Sequence, residues 1–101
     1  MLYAIILIDQ PGSAELRHRV RPAHKAYLQA VADRIAFAGP FTTDDGCLMT
    51  GSLLVIDFVS HEAVQAWLAD EPFTLAGLYA STDVRAFTNL WPQRAGFPPA
   101  A

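Results

Sequence analysis

Apolar and polar positions along this chain fall into segments of two alternating periods. Residues 2–9 (LYAIILID) contain no polar residue before Asp9, the pattern of a strand buried on both faces. Gln10-Pro11-Gly12 is a turn cluster that ends it. From Ser13 to Arg34 the period becomes helical, with Leu16, Val20, Ala23, Tyr27 and Val31 forming one stripe. Ser13 suits the N-cap, and Glu15 favours the positive end of the helix dipole. Pro22 removes a backbone donor inside this stretch. It predicts a kink or break near Arg21, followed by a second segment in which Pro22 is an early residue.

Residues 35–41 (IAFAGPF) read as a strand ended by Gly39-Pro40, and Asp44-Asp45-Gly46 as a tight turn. Residues 52–59 (SLLVIDFV) are the clearest β-segment, with Asp57 at a solvated or site-facing position. Ser60 caps a helix over about residues 61–69, with Ala63, Val64, Trp67 and Leu68 on its inner side. Glu71-Pro72 breaks it; Phe73 to Leu78 reads as a turn or short helix, and residues 83–90 as the last strand. Residues 1–91 then form one domain, and 92–101 a Pro-rich C-terminal arm.

The order β-α-β-β-α-β, with an antiparallel middle pair, has one consistent solution. It is an α+β, ferredoxin-like βαββαβ sandwich: a four-stranded antiparallel sheet with both helices on one face. Two helices cover only one face, yet Ile5 to Ile8 and Leu53 to Ile56 place apolar side chains on both. The uncovered face predicts an apolar patch of a size that soluble monomers rarely expose. Packing two such faces together gives an isologous homodimer of the dimeric α+β barrel type. The alternative cover is the C-terminal arm folded over that face.

Composition narrows the function classes. The chain has 101 residues, 52% hydrophobic and 17% charged, which excludes disorder. Seven Lys and Arg against 10 Asp and Glu leave a formal charge of −3, no basis for binding nucleic acid by bulk charge. One cysteine forms no internal disulfide, and no Cys/His cluster suggests a metal or other cofactor. The apolar run at the start is too short to span a membrane and lacks the flanks of a signal peptide. A cytoplasmic protein with no membrane partner is the expectation.

Three histidines compete for a chemical role. His18 projects opposite Val20 and Tyr27 toward solvent, and His61 sits in a first helical turn, where the dipole disfavours its charged form. His24 lies at the border of the apolar stripe with Arg21 three residues before it. There one ring nitrogen can bond to protein while the other faces a cleft, which suits a general acid or base. Arg17 and Arg19 read as partners of surface acids such as Glu15; Arg21 could clamp a carboxylate or phenolate. Asp70 and Glu71 stand at a helix end, where acids oppose the dipole unless a cation such as His24 offsets them. An acid paired with His24 would fix the ring tautomer. Ser52 and Cys47 are nucleophile candidates by residue type only, and Gly51-Ser52 offers a close backbone approach for a ligand. Trp67, Trp91, Phe73 and Phe87 read as core or dimer contacts rather than a stacking platform.

Taken in order, Asp9, Arg17, Arg21-Pro22-Ala23-His24, Ala38-Gly39-Pro40, Gly51-Ser52, Trp67 and Glu71-Pro72-Phe73-Thr74-Leu75-Ala76-Gly77-Leu78 resemble the YciI-like (YCII-related) family from Met1 to about Leu90. The resemblance implies a small dimeric ferredoxin-like protein carrying a His-Asp pair. Its histidine falls on His24. Relatives usually place Asp immediately before the proline, where this chain has Glu71 with Asp70 one residue earlier. Either Glu71 takes the role with a longer reach, or Asp70 does, or the pair is lost. One relative eliminates chloride from a chlorinated hydroxyhydroquinone, which implies proton transfer on a small cyclic or phenolic molecule. The expected function is that of a small-molecule lyase or isomerase, with His24 and an acid at 70 or 71 as catalytic residues and Arg21 and Ser52 holding a small anionic or phenolic ligand. The competing expectation is a non-catalytic small-molecule-binding or accessory dimerisation module.

Overall fold

The centre of the sheet is built from the two most apolar segments. In the computed structural model, which describes residues 1–99, β1 (Leu2–Asp9) lies between β3 (Met49–Asp57) and β4 (Tyr79–Phe87), and β2 (Ile35–Thr42) flanks β3. The strand order is β2-β3-β1-β4 and every neighbouring pair is antiparallel. The connections are α1 (Ala14–Gln29) with a 3₁₀ turn at Ala32–Arg34, a hairpin between β2 and β3, then α2 (His61–Ala69) and α3 (Pro72–Leu75). This is the ferredoxin-like α+β sandwich expected from the element order.

Register sorts the apolar residues between two faces. Tyr3, Ile5 and Leu7 of β1 stand opposite Ile56, Leu54 and Ser52 of β3. On that face they join Phe58, Val64 and Leu68 in the core, with Leu28, Trp67 and Val84 packed against it. The opposite face carries Ala4, Ile6 and Ile8 beside Val55, Leu53 and Gly51. Phe37 of β2 and Phe87 of β4 arch toward each other there, edge to face at 6.4 Å, and Val55 is buried beneath. Ile8 remains 43% exposed. Phe97 of the arm is exposed, as are Leu90 and Trp91 just before it, so none of the three is buried against this face. Of the arm expected over 92–101, residues 92–99 contain no helix or strand, and 100–101 lie outside the described residues.

Four expectations need correction. First, α1 is continuous from Ala14 to Gln29 despite Pro22. The proline is on the exposed side, where the carbonyl it leaves unbonded faces water. Buried contacts from Arg17 to β1 and β3 before it, and from His24 to Glu71 and Phe73 at α3 after it, hold both halves in place. Second, the buried line of α1 is not the apolar stripe: it contains Arg17 and His24, while Ala23 is exposed. Third, β2 runs through Gly39-Pro40, because an edge strand can present a missing N–H outward. Fourth, β3 spans 49–57 rather than 52–59, and β4 spans 79–87 rather than 83–90. Being an edge strand, β4 is mostly exposed and carries a weak apolar signal.

Gly51 is needed for close approach. A Cβ at this position would lie 2.3 Å from the carbonyl oxygen of Leu7, so any side chain would push β1 and β3 apart. Its own carbonyl is free on the helix side to receive a hydrogen bond from Arg17.

Candidate active site

Two buried polar assemblies anchor α1, one on each side of Pro22. The first is centred on Arg17, whose side chain is 5% exposed. Its Nε donates to Asp9 at 2.7 Å, and its terminal nitrogen to the Gly51 carbonyl at 2.8 Å and Ser52 Oγ at 2.7 Å. The guanidinium also lies 4.8 Å from the centroid of the Phe73 ring. Arg17 therefore ties α1 to the end of β1 and to β3; the surface role expected for it is wrong. Arg19 has no ion pair among the described residues and is exposed.

The second assembly is centred on Glu71, which is completely buried. Pro72 starts α3, and Glu71 is its N-cap: Oε2 accepts the Thr74 N–H at 3.1 Å. Tyr79 Oη donates to the same oxygen at 3.2 Å. The other oxygen, Oε1, meets His24 Nδ1. Oε2 thus has two donors of its own, and an ionised Glu71 takes the Nδ1–H of the ring at Oε1; in the neutral ring of that tautomer Nε2 is the acceptor. The ring partner is Glu71 and not Asp70, which is exposed at the C-cap of α2. The two carboxylates differ because Glu71 caps α3 inward while Asp70 ends α2 in solvent.

The His24 ring is nearly closed off, with 7% of its side chain exposed. It stacks on Phe73 with centroids 4.1 Å apart and planes at 22°. Phe73, a fully buried core residue, thus backs the His24 ring. Nε2 has no protein partner among the described residues, yet it is not a sealed orphan atom. His24 lines a cavity of about 220 Å³ between α1 and strands β2 and β3, together with Arg21, Lys25, Pro40 and Ser52.

Charge in this cavity is one-sided. Among the described residues Arg17, Arg21 and Lys25 line it and no carboxylate does, although the chain carries −3 overall. Neither Arg21 nor Lys25 has an ion-pair partner among the described residues. Like charges four residues apart on one helix face repel by a few tenths of a kcal/mol, roughly, and an anion seated between them would relieve this. Ser52, buried, accepts from Arg17, which leaves its hydroxyl hydrogen free to donate to a ligand.

Two phenols border the acid. Tyr79 is pushed well above the ordinary phenol value of 10.0, by burial first and by the Glu71 carboxylate next. Since its folded value is the raised one, the stability it contributes is complete below pH 10.0 and fades only as pH rises beyond that. Tyr27 is also raised, by burial and then by Asp70 and Glu71, and donates to the Trp67 carbonyl at 2.7 Å.

The remaining candidates stand apart. His18 and His61 are exposed; His61 meets Tyr3 edge to face. Cys47 is exposed in the hairpin, its Sγ 3.8 Å from the Asp45 carbonyl. Trp91, expected in a core or interface, is 93% exposed in the single chain. Sequence reasoning missed Tyr79 altogether and assigned Arg17 and Phe73 other roles. The available signal for Arg17 was its seven-residue spacing from His24, which puts the two about 20° apart around a helix.

Comparison with known proteins adds context to this geometry. A family model described as the YCII-related domain matches residues 1–88. The chain is 40% identical over 98 residues to Protein YciI of Escherichia coli O6:H1, covering 90% of this chain and all of that one. It is 32% identical over the same length to an uncharacterised protein of Haemophilus influenzae, again covering all of it. Among solved structures it resembles the 5-chloro-2-hydroxyhydroquinone dehydrochlorinase of Burkholderia phenoliruptrix in complex with 2,5-dihydroxybenzoquinone. The TM-score is 0.81 at 37% identity, covering 87% of this chain and 94% of that one.

Proposed function

We propose, for a chain that belongs to the YCII-related family, that it is a lyase or isomerase moving a proton on a small anionic cyclic or phenolic molecule. The observation that carries this reading is the His24 ring, bonded through Nδ1 to buried Glu71 in the wall of a cationic cavity, which leaves Nε2 for a ligand. In the proposed step, Nε2 takes the proton of a substrate hydroxyl. Glu71 stabilises the imidazolium that forms, and the ring returns the proton to a carbon or to a departing group. Arg21, with Lys25 beside it, holds the anionic oxygen, and the Ser52 hydroxyl donates to a second oxygen. Asp70 has no part in the step.

The relative of similar structure acts on a chlorinated hydroxyhydroquinone and was captured with a dihydroxybenzoquinone, which supports this ligand class and supplies the test. The protein should melt at a higher temperature with 2,5-dihydroxybenzoquinone, by mass action on the folded state. It should also turn over 5-chloro-2-hydroxyhydroquinone or a member of a panel of phenols and lactones. Stabilisation without turnover of any member would favour the non-catalytic binding module. Neither effect across the panel would overturn both readings.

We propose further that the chain works as a homodimer joined through the outer sheet face. Ile6, Ile8, Leu53 and Phe87 on that face retain exposure in the single chain, and such apolar area marks an interface. Sedimentation at micromolar concentration should show a species of twice the 11.0 kDa chain mass. A single species at the chain mass would defeat the proposal.

A further inference from the structure

The position of Tyr79 depends on a break in register. Through most of their length β1 and β4 pair regularly, with Leu7 opposite Thr82 and Ile8 opposite Ser81. The register then shifts, and Asp9 stands opposite Tyr79, with Ala80 as the extra residue. In unbroken pairing Ala80 would face Asp9 and the Tyr79 side chain would turn to the outer face of the sheet. The bulge turns it to the helix side, and re-aiming one side chain is a common use of a bulge. Flanking bonds hold the geometry: the Gln10 N–H donates to the Leu78 carbonyl at 2.7 Å, and Gln10 Nε2 to the Tyr79 carbonyl at 3.3 Å.

So aimed, the phenol donates to Glu71 Oε2, the oxygen that already accepts from Thr74, and leaves Oε1 to His24. The ring packs edge to face on Phe73, the platform beneath His24. The geometry points to Tyr79 as a positioning residue that acts through Glu71 to set how strongly His24 holds a proton. An O–H donated to a carboxylate draws off part of its negative charge. Less charge then remains to stabilise an imidazolium, so Tyr79 keeps His24 a weaker base than Glu71 alone would make it. Burial keeps the phenol a neutral donor throughout the range in which a histidine titrates. The other charged or titratable groups around this pair are Arg17, Arg21, Lys25 and Tyr27 on α1, Asp9 on β1, and Asp70 at the end of α2. None of these changes in the test.

This inference rests on the His24–Glu71 pair of the proposed function, but its test needs no substrate and so fails independently of it. In Tyr79→Phe the ring and its packing stay and only the hydroxyl goes. NMR titration of the His24 ring should show its midpoint rising by about half a unit to one unit relative to the unmodified chain. Site-specific 3-fluorotyrosine at position 79, a stronger donor of the same shape, should move the midpoint down. This second measurement holds even if Tyr79→Phe fails to fold. A purely structural role for the hydroxyl would leave both midpoints in place or move both the same way, and either result overturns the proposal.

Discussion

Replacing His24 with asparagine is expected to lower turnover of any accepted substrate by about 10²- to 10⁴-fold, the usual contribution of a positioned acid–base group. Asparagine is the informative choice. Its side-chain N–H can stand where Nδ1 now meets Glu71, so the buried carboxylate keeps its third donor. Nothing in asparagine replaces the Nε2 lone pair. The fold should therefore survive while proton transfer is lost. Alanine would confuse the two effects, because leaving a buried acid short of a partner costs about 1–3 kcal/mol by itself. Ligand affinity gives a second reading: Arg21, Lys25 and Ser52 are untouched, so 2,5-dihydroxybenzoquinone should still raise the melting temperature of His24→Asn. Turnover within threefold of the unmodified chain would remove His24 from the mechanism.

The largest loss of stability is expected from Arg17→Ala, on the order of 3–5 kcal/mol, the cost of breaking a buried ion pair from one side. Asp9 is 6% exposed at its side chain, and its Oδ1 already lacks a partner among the described residues. Without Arg17 neither oxygen would have one. The Gly51 carbonyl and Ser52 Oγ would lose their donor as well. A domain of this size has roughly 5–15 kcal/mol of stability in total, so the variant should be near the edge of folding at room temperature. Removing both charges in Asp9→Asn/Arg17→Met should recover a large part of the loss, since paired deletion leaves no lone buried charge. Urea melts at one fixed protein concentration would measure this. A loss below about 1 kcal/mol for Arg17→Ala would mean the pair behaves as a solvated one.

These two residues show how differently the site was legible. His24 was visible because it lies at a border between apolar and polar positions, and because it sits in an Arg-Pro-Ala-His string. Arg17 was not, because a buried arginine and a surface arginine look alike in a helical pattern. Tyr79 was less visible still: it enters the site through a one-residue shift between β1 and β4, and such a shift leaves no periodic trace. Pro22 misled for a related reason. The rule that proline breaks helices assumes no compensating contacts, and α1 has buried ones on both sides.

Local patterning by itself determined the element order, the single layer of helices and the apolar load on both faces of the sheet. Those follow from water sorting side chains at periods of two and 3.6, a force that acts residue by residue along the chain. Only the tertiary structure decided which acid meets His24, where Arg17 is spent and which hydroxyl stands behind Glu71. His24 and Glu71 are 47 residues apart, and Arg17 and Ser52 are 35. Partners so distant are chosen by where the folded backbone puts them: a buried polar group must be satisfied by whatever donor or acceptor the packing brings within reach.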